Sequence, residues 1–438
     1  MKKEAALVLL LVLLGCSPLA GVDVPLQTLK EDLKSVELPN GMKVTTKEMH
    51  SLPLVTIQFW VRVGARNEPD QYRGIAHIFE HIWFKGTATQ PVGSFHKKVE
   101  SLGGELNAMT SHDWTMYYVV VPSDKFDDIF PLMVDLLLNS GFNQTEITKE
   151  LQVIVEEQRF SFNEPERFLD DQFGLLLIDE HPYRNPVIGY KDTILGATRD
   201  AIMDFYHTWY VPNNMNIVVV GDIESDEIIR KVSEAFLEFE PKKLPELTLP
   251  TQQPILTPKY NSTTKDVGYT YLALGYLAPN AQDKDRYAMH VLNTIFSQSE
   301  SSRLQSKIKK QDNLIVRGTS VFAPLKDMGV FETVLVVEPE KKGEALTQTL
   351  LELGKFRTEL VTEEELSRAK KLILAERVKS QEEMFQVGFN IGESWIDGDV
   401  HDYTTFIENI NKVSAEDVRN AAQKHFIAYT LYEVQPKV

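Results

Sequence analysis

The chain has 438 residues, of which 43% are hydrophobic and 25% are charged, so it is long enough to bury two sizeable cores. Its formal net charge is −17, and no basic stripe runs along the sequence. A chain of this kind is a poor binder of phosphate backbones, so we expect no nucleic-acid partner.

The first 16 residues predict an export signal. A positively charged start precedes the apolar run Ala5–Leu14, which at about ten residues is too short to span a bilayer. The end of this segment resembles the lipobox of bacterial lipoproteins, and Cys16 is the only cysteine. We therefore expect lipidation of Cys16 and a lipid anchor on the periplasmic side of a membrane, with the outer membrane favoured by Ser17. The alternative is an ordinary cleaved signal peptide.

The next elements follow in order along the chain. Residues 17–34 are predicted to be a tether. Asn40 and Gly41 predict the turn of a β-hairpin, and the β-branched and aromatic stretch 52–65 predicts a strand. Residues 71–85 then change to helical spacing.

Five prolines between residues 238 and 260 predict an extended linker, because each proline removes a backbone donor. We place this linker at residues 240–259. It separates a first domain at 35–239 from a second domain at 260–438.

The two sides of the linker resemble each other at an offset of about 215 residues. The stretch "YRGIAHIFEH" aligns with "DRYAMHVLNT", so that Arg73 pairs with Arg286 and His77 with His290. The predicted fold class is therefore α+β, a tandem duplication of two similar domains, each an antiparallel-rich sheet with helices packed on it. The second copy has Asn293 and Thr294 at the positions of Glu80 and His81, so only the first copy keeps this polar cluster.

The polar cluster lies in "GIAHIFEHIWFKGT". On a helix His77, Glu80 and His81 share one face, with the two imidazoles one turn apart. Neutral imidazoles at that spacing suit two corners of a zinc tetrahedron, and H-x-x-E-H is the signature of inverzincins. The alternative is an ordinary solvated polar face.

A catalytic zinc ion needs a third protein ligand, and the helical stretch "TEITKELQVIVEEQRF" offers three glutamates. Glu157 lies seven residues after Glu150, close to two turns, so these two share a face. Glu156 points about 100° away from Glu157. Spacing alone leaves the choice among them open.

Together these motifs resemble the pitrilysin, insulinase and mitochondrial-processing-peptidase family of zinc peptidases. The resemblance implies one Zn²⁺ per chain, held by His77, His81 and Glu157, with Glu156 as the alternative third ligand. It also implies a general base at Glu80, which accepts a proton from the attacking water, and a further catalytic glutamate at Glu150. Other segments that carry the resemblance are "FKGT", "GGELNAMTSHDWTMYY", "HPYRNPVIG" and "YVPNNMNIVVVGDI".

The resemblance also implies how the substrate binds. In this family the strand that matches "GELNAMTS" is an edge that pairs with the backbone of an extended peptide. Asn107 and Ala108 are the expected substrate-binding residues. The expected activity is zinc-dependent hydrolysis of peptide bonds in extended peptides or unfolded segments.

One departure from the family concerns the second domain. Self-sufficient members carry an arginine and a tyrosine that reach the substrate, and those positions hold Lys309 and Val316 here. Valine donates no hydrogen bond to an oxyanion. We therefore expect a heterodimer in which a paralogous subunit without H-x-x-E-H supplies these groups. The alternative function is a non-catalytic assembly or peptide-binding subunit of the same fold.

Overall fold

A computed structural model describes residues 32–437. Within this range the strands form two sheets, one from each side of the linker. The first sheet has the order β1-β2-β6-β3-β5-β4. Its strands are β1 (Leu33–Glu37), β2 (Lys43–Glu48), β3 (Leu54–Val61), β4 (Glu105–Thr110), β5 (Thr115–Pro122) and β6 (Met215–Gly221).

The second sheet repeats the first without a counterpart of β1. It has the order β7-β11-β8-β10-β9, and its strands are β7 (Lys259–Lys265), β8 (Thr270–Ala278), β9 (Arg317–Pro324), β10 (Gly329–Val337) and β11 (Thr430–Pro436). β7 pairs parallel with β11 as β2 does with β6, and all the remaining neighbours are antiparallel in both sheets. This correspondence confirms the α+β tandem duplication.

The helices between the strands cover both sheets. In the first half they are α1 (Ile75–Trp83), α2 (Ser94–Ser101), α3 (Phe126–Leu138), α4 (Gln144–Asn163), α5 (Pro165–Leu177), α6 (Lys191–Leu195), α7 (Arg199–Trp209) and α8 (Ser225–Ala235). In the second half they are α9 (Asp285–Ser297), α10 (Lys342–Thr358), α11 (Glu363–Ser380), α12 (Met384–Asp397), α13 (His401–Lys412) and α14 (Ala415–His425). A π-helical segment, Leu304–Gln311, precedes β9.

The local sequence explains several boundaries. The predicted turn at Asn40 and Gly41 joins β1 to β2, and Gly41 adopts a left-handed φ of 81° that favours glycine. β1 begins at Leu33, so the last two residues of the predicted tether 17–34 belong to the sheet. No helix or strand is assigned between Ala235 and Lys259, where the prolines cluster.

Each half lends one helix to the sheet of the other half. α12, from the second half, packs Val387, Ile391 and Trp395 on the face of the first sheet that carries Trp60. α5, from the first half, packs on the second sheet, where Phe173 lies among residues of β8 and β11. The packing of α12 explains why β3 and β6 are buried on both faces.

Candidate active site

α1 carries the H-x-x-E-H motif and is fixed by its apolar face and by its first turn. Ile78, Phe79 and Ile82 are buried in the first core. The carboxylate of Glu68 accepts hydrogen bonds from the backbone amides of Gly74 (2.8 Å) and Ala76 (2.9 Å), which are unpaired donors at the helix start. Gly74 itself has a φ of 98°, which favours glycine.

α4 brings the third side chain to the two imidazoles. The rings of His77 and His81 have centroids 4.7 Å apart, and Glu157 Oε2 lies 3.5 Å from His81 Nε2. One donor atom from each of His77, His81 and Glu157 lies within 4.8 Å of the other two. Glu156, the alternative ligand, points away and pairs with Arg159 at 2.7 Å.

The charges and donors of this group suit a cation. Burial and the neighbouring His81 lower the pKa of His77 to about 4, so this imidazole stays neutral and keeps a free lone pair. Its Nδ1 is buried with no hydrogen-bond partner in the described range. Burial opposes protonation of His81, but hydrogen bonding to Glu157 and the nearby carboxylates raise its pKa. Two imidazoles and a carboxylate are a donor set that zinc binds, so the residues present fit this metal.

Glu80 lies beside the three donors and is held separately from them. Its Oε2 accepts a hydrogen bond of 2.5 Å from the hydroxyl of Thr110, at the end of β4. Burial raises the pKa of Glu80 above its ordinary value. A carboxylate with a raised pKa next to a metal site is suited to proton transfer near neutral pH.

Glu150 contacts the side of the His81 ring opposite to Glu157. Its Oε2 is 3.4 Å from His81 Nδ1, and its Oε1 is 2.8 Å from the ammonium of Lys85. The two ring nitrogens of His81 therefore face different carboxylates, Nε2 towards Glu157 and Nδ1 towards Glu150. A second carboxylate on the far nitrogen of a metal-binding histidine fixes its tautomer and orientation.

β4 is an edge strand, because it pairs only with β5. The amide of Ser111 donates a hydrogen bond to the carbonyl of Trp114. In this strand the backbone N–H and C=O groups of odd-numbered residues therefore point towards β5, and those of even-numbered residues point away from it. Ala108 therefore presents its backbone groups to the open edge, and its amide is capped by Oδ1 of Asn107 at 2.9 Å. The side chain of Asn107 is exposed and that of Ala108 is buried.

A cavity of about 780 Å³ adjoins the cluster and is lined by residues of both halves of the chain. His77, Glu80 and Glu157 line it, together with second-half residues that include Val321 and Glu332. Lys309 and Val316, where the family pattern has arginine and tyrosine, are not among its lining residues.

The arginines near those two positions are already paired. Arg303 forms an ion pair of 2.8 Å with Glu365, and Arg317 pairs with Glu166 at the start of α5. Within residues 32–437, no arginine or tyrosine of the second half lines the cavity beside the three donors.

Three positioning residues of this site were missed by sequence reasoning: Glu68, Lys85 and Thr110. The alternation of "ELNAMT" in a strand could have placed Thr110 on the same face as buried Ala108. Lys85 lies four residues after His81, a helical spacing that puts both near one partner. Glu68 has no clear signal, because the five residues between it and Gly74 include a short 3-10 helix at Asp70–Tyr72 and follow no single periodicity.

Membrane attachment is a separate question from the site. No helix between residues 32 and 437 is long and apolar enough to cross a bilayer. Cys16, the predicted lipidation site, lies outside the described residues.

Comparison with known proteins places the chain in a family. The family model Insulinase (Peptidase family M16) matches residues 43–189, and the model Peptidase M16 inactive domain matches residues 196–373. A protein of Rickettsia felis named an uncharacterized zinc protease is 30% identical over 409 residues, which cover 92% of this chain and 97% of that protein.

Solved structures give the same assignment. A protease from Helicobacter pylori superposes with a TM-score of 0.88 at 27% identity, covering 92% of this chain and 99% of that chain. The periplasmic protease PqqL from Escherichia coli has the same fold, with a TM-score of 0.76 at 21% identity, and the match covers 92% of this chain but 47% of PqqL. The chain therefore belongs to the insulinase family of peptidases, family M16.

Proposed function

We propose that the chain is a zinc metalloendopeptidase that hydrolyses peptide bonds in extended peptides or unfolded segments. The observation that carries this proposal is the convergence of His77, His81 and Glu157 within 4.8 Å, with Glu80 held beside them by Thr110. A bound zinc ion supplies a Lewis acid and lowers the pKa of a water molecule towards 7.

The residues of the chain perform the remaining tasks. His77, His81 and Glu157 hold the metal. Glu80 accepts a proton from the attacking water and then passes it to the leaving amine. Glu150, which we first assigned a catalytic role, acts as a positioning residue, because it contacts His81 and Lys85 and does not line the cavity.

The substrate is proposed to add a strand to β4. The backbone groups of Ala108 face the open edge, and Asn107 caps the Ala108 amide until a peptide carbonyl replaces it. Backbone pairing of this kind selects extended chains and makes few demands on their side chains.

The variant Glu80→Gln tests the catalytic assignment. The amide keeps the size of the side chain but cannot accept the proton, so turnover of a quenched peptide should fall by about 10²- to 10⁴-fold. Zinc content, measured by metal analysis, should stay at that of the wild type. Loss of zinc in this variant would show that Glu80 is a ligand. A wild-type protein that binds zinc but cleaves no peptide, alone or with a partner, would favour the non-catalytic alternative.

We further propose that the chain is the zinc-bearing subunit of a heterodimer. The support is that Lys309 and Val316 lie outside the cavity lining, and that this chain matches only 47% of the PqqL chain. A missing oxyanion donor costs about 10²- to 10³-fold in rate. Co-purification from native membranes should recover a paralogue without H-x-x-E-H, and adding it should raise peptide turnover. Equal activity of the single chain and the pair would refute this proposal.

The lipid anchor at Cys16, on the periplasmic side and preferentially at the outer membrane, remains a proposal based on the first 16 residues. Replacing Cys16 with serine should move the protein from the membrane fraction to the soluble fraction. Unchanged fractionation of the Cys16→Ser variant would favour an ordinary signal peptide.

A further inference from the structure

A second cavity, of about 330 Å³, lies where the two halves of the chain and the linker meet. The first half contributes Arg62 and Arg66, and the second half contributes Lys326 from the turn between β9 and β10. Leu244 and Leu247 of the linker complete one wall. Three cationic side chains therefore surround a space that the proposed peptidase chemistry does not use.

One of these cations and the nearby carboxylates are already paired. Arg66 binds Asp327 through Nε (2.5 Å) and Nη2 (3.0 Å). Asp113 also lines the cavity, but its Oδ1 accepts from the hydroxyl of Tyr183 at 2.5 Å and its Oδ2 accepts from the backbone amide of Lys326 at 3.0 Å. Asp327 is therefore paired with Arg66 and Asp113 is engaged by two uncharged donors, so the three cations outnumber the two carboxylates beside them.

Arg62 and Lys326 are left without a carboxylate partner. The guanidinium of Arg62 lies 3.9 Å from the ring of Trp395, one nitrogen donates to the Trp395 carbonyl, and Nε is buried with no partner within residues 32–437. Burial lowers the pKa of Arg62 to about 10. Burial and the charges of Arg66 and Arg62 also lower the pKa of Lys326, and they outweigh the opposite effect of the Asp113 and Asp327 charges.

Amide groups add uncharged donors to the same cavity. Asn67 uses Oδ1 to accept from Gly64, and its Nδ2 donates to no side chain or carbonyl in the described part of the chain. Asn214 donates to the carbonyl of Arg62 at 3.3 Å and so fixes the backbone that carries the guanidinium.

We propose that this cavity binds a small oxyanion of the phosphate, sulfate or carboxylate class between Arg62 and Lys326. An oxyanion would neutralise two like charges that otherwise repel, and it would accept hydrogen bonds from both cations and from Asn67. The cavity volume lies at the lower end of the range of about 300 to 1,000 Å³ found for small-molecule sites.

The position of the cavity gives the anion a structural consequence. Arg62 belongs to the first half, Lys326 belongs to the second half, and the linker forms part of the wall. A bound anion therefore ties three segments together, and it should also shield the linker from proteases that cleave after Lys242 or Lys243.

Thermal unfolding of the full chain tests the proposal. The protein is titrated with inorganic phosphate, sulfate or acetate, and with sodium chloride at matched ionic strength. We expect a saturable rise of Tm with at least one oxyanion and none with chloride. The responding anion tells the phosphate or sulfate class from the carboxylate class.

Variants separate this site from other anion binding, because phosphate also binds zinc. Lys326→Gln, in the turn between β9 and β10, and Arg62→Gln should each weaken the apparent affinity about tenfold. Lys243→Gln removes the same charge from the linker but does not line the cavity, so it should respond as the wild type does. Phosphate should also slow tryptic cleavage of the linker in the wild type and should do so less in Lys326→Gln, which keeps both Lys242 and Lys243.

Two results would overturn the proposal. One is a Tm response that is absent or that chloride reproduces at matched ionic strength. The other is a Tm response to the oxyanion that Lys326→Gln retains in full. This second result can be obtained even if Arg62→Gln fails to fold.

Discussion

The two ring nitrogens of His81 meet different carboxylates, and this determines what Glu150 can do. Nε2 lies towards Glu157, on the cavity side, and Nδ1 lies towards Glu150, which Lys85 holds from behind. A group on the far side of a metal-binding imidazole orients the ring and raises its basicity.

We therefore expect Glu150→Gln to weaken zinc binding by about 10- to 100-fold, because the oriented contact to His81 is weakened while the ligands remain. Zinc affinity is measured by competition with a chelator, and peptide turnover is measured with increasing zinc. Turnover should recover when zinc is in excess.

Glu146→Gln is a suitable control for that variant. Glu146 lies one turn earlier on α4 and forms an ion pair with Lys149. The carboxylates that contact His81 are those of Glu150 and Glu157. Glu146→Gln should leave zinc affinity unchanged. A Glu150→Gln protein that binds zinc normally but stays inactive at saturating zinc would return Glu150 to a catalytic role.

At the scale of the residue, the sequence was sufficient to predict which side chains converge, but not to separate the tasks proposed for them. H-x-x-E-H fixes His77, Glu80 and His81 on one helical face, because helix geometry is the same everywhere. The spacing of Glu150 and Glu157 gives a shared face of α4. The distance of each glutamate from His81 depends on the angle at which α1 and α4 cross. The spacing of residues in the sequence carries no information about that angle.

α1 is held at its first turn by one carboxylate, which makes the helix sensitive to a residue outside the motif. Glu68 is 5% exposed and accepts from the amides of Gly74 and Ala76. In Glu68→Ala both amides lose their acceptor inside the protein, so we expect a loss of about 1 to 3 kcal/mol in the free energy of unfolding. Urea denaturation measures this loss.

Asp70→Ala is the matched control for the helix start. Asp70 is also an acidic residue of this segment, but its side chain is 95% exposed and its ion pair is with Arg73. Only the Asp70 end of this pair is exposed, and Arg73 keeps its hydrogen bond to the carbonyl of Ala65 (3.2 Å), so we expect the loss to stay at about 1 kcal/mol. Equal losses in the two variants would show that general charge, and not the two buried amides, explains the effect.

At the scale of the element, the open edge of β4 agrees with the predicted role of this strand, although the binding roles of Asn107 and Ala108 remain predictions. The hairpin at Asn40 and Gly41 was predicted correctly because its turn residues are local signals. The second buried face of β3 was not predicted, because the helix that covers it follows more than 300 residues later.

The reciprocal exchange of α5 and α12 depends on small residues at the contacts. A Cβ atom added at Gly392 would lie 2.0 Å from Trp60 Cε2, so Gly392→Ala forces α12 away from the first sheet. Overpacking of this kind costs about 1 to 3 kcal/mol. We expect a lower urea midpoint for this variant than for the wild type.

Gly354→Ala provides the control at a glycine of α10 where a Cβ would meet nothing within 4 Å. Alanine favours helix over glycine by about 1 kcal/mol, so this variant should be as stable as the wild type or slightly more stable. If Gly392→Ala were equally well tolerated, the close packing of α12 on Trp60 would not contribute to stability.

For the whole molecule, the duplication could be predicted from aligned segments, whereas the exchange of helices could not. Alignment compares each half with the other and is insensitive to which sheet a helix contacts. When the chain is divided at 240–259, one helix of each half packs on the sheet of the other half. The predicted domains 35–239 and 260–438 therefore describe the sequence repeat, and their hydrophobic cores are shared.

The late position of α12 affects how the chain reaches its native state during synthesis. The first sheet is complete once residue 221 has been made, but the face that carries Trp60 stays uncovered until α12 leaves the ribosome. An apolar sheet surface that waits for its cover is prone to association with other chains. We therefore expect this surface to promote association with other chains for as long as α12 is not in place.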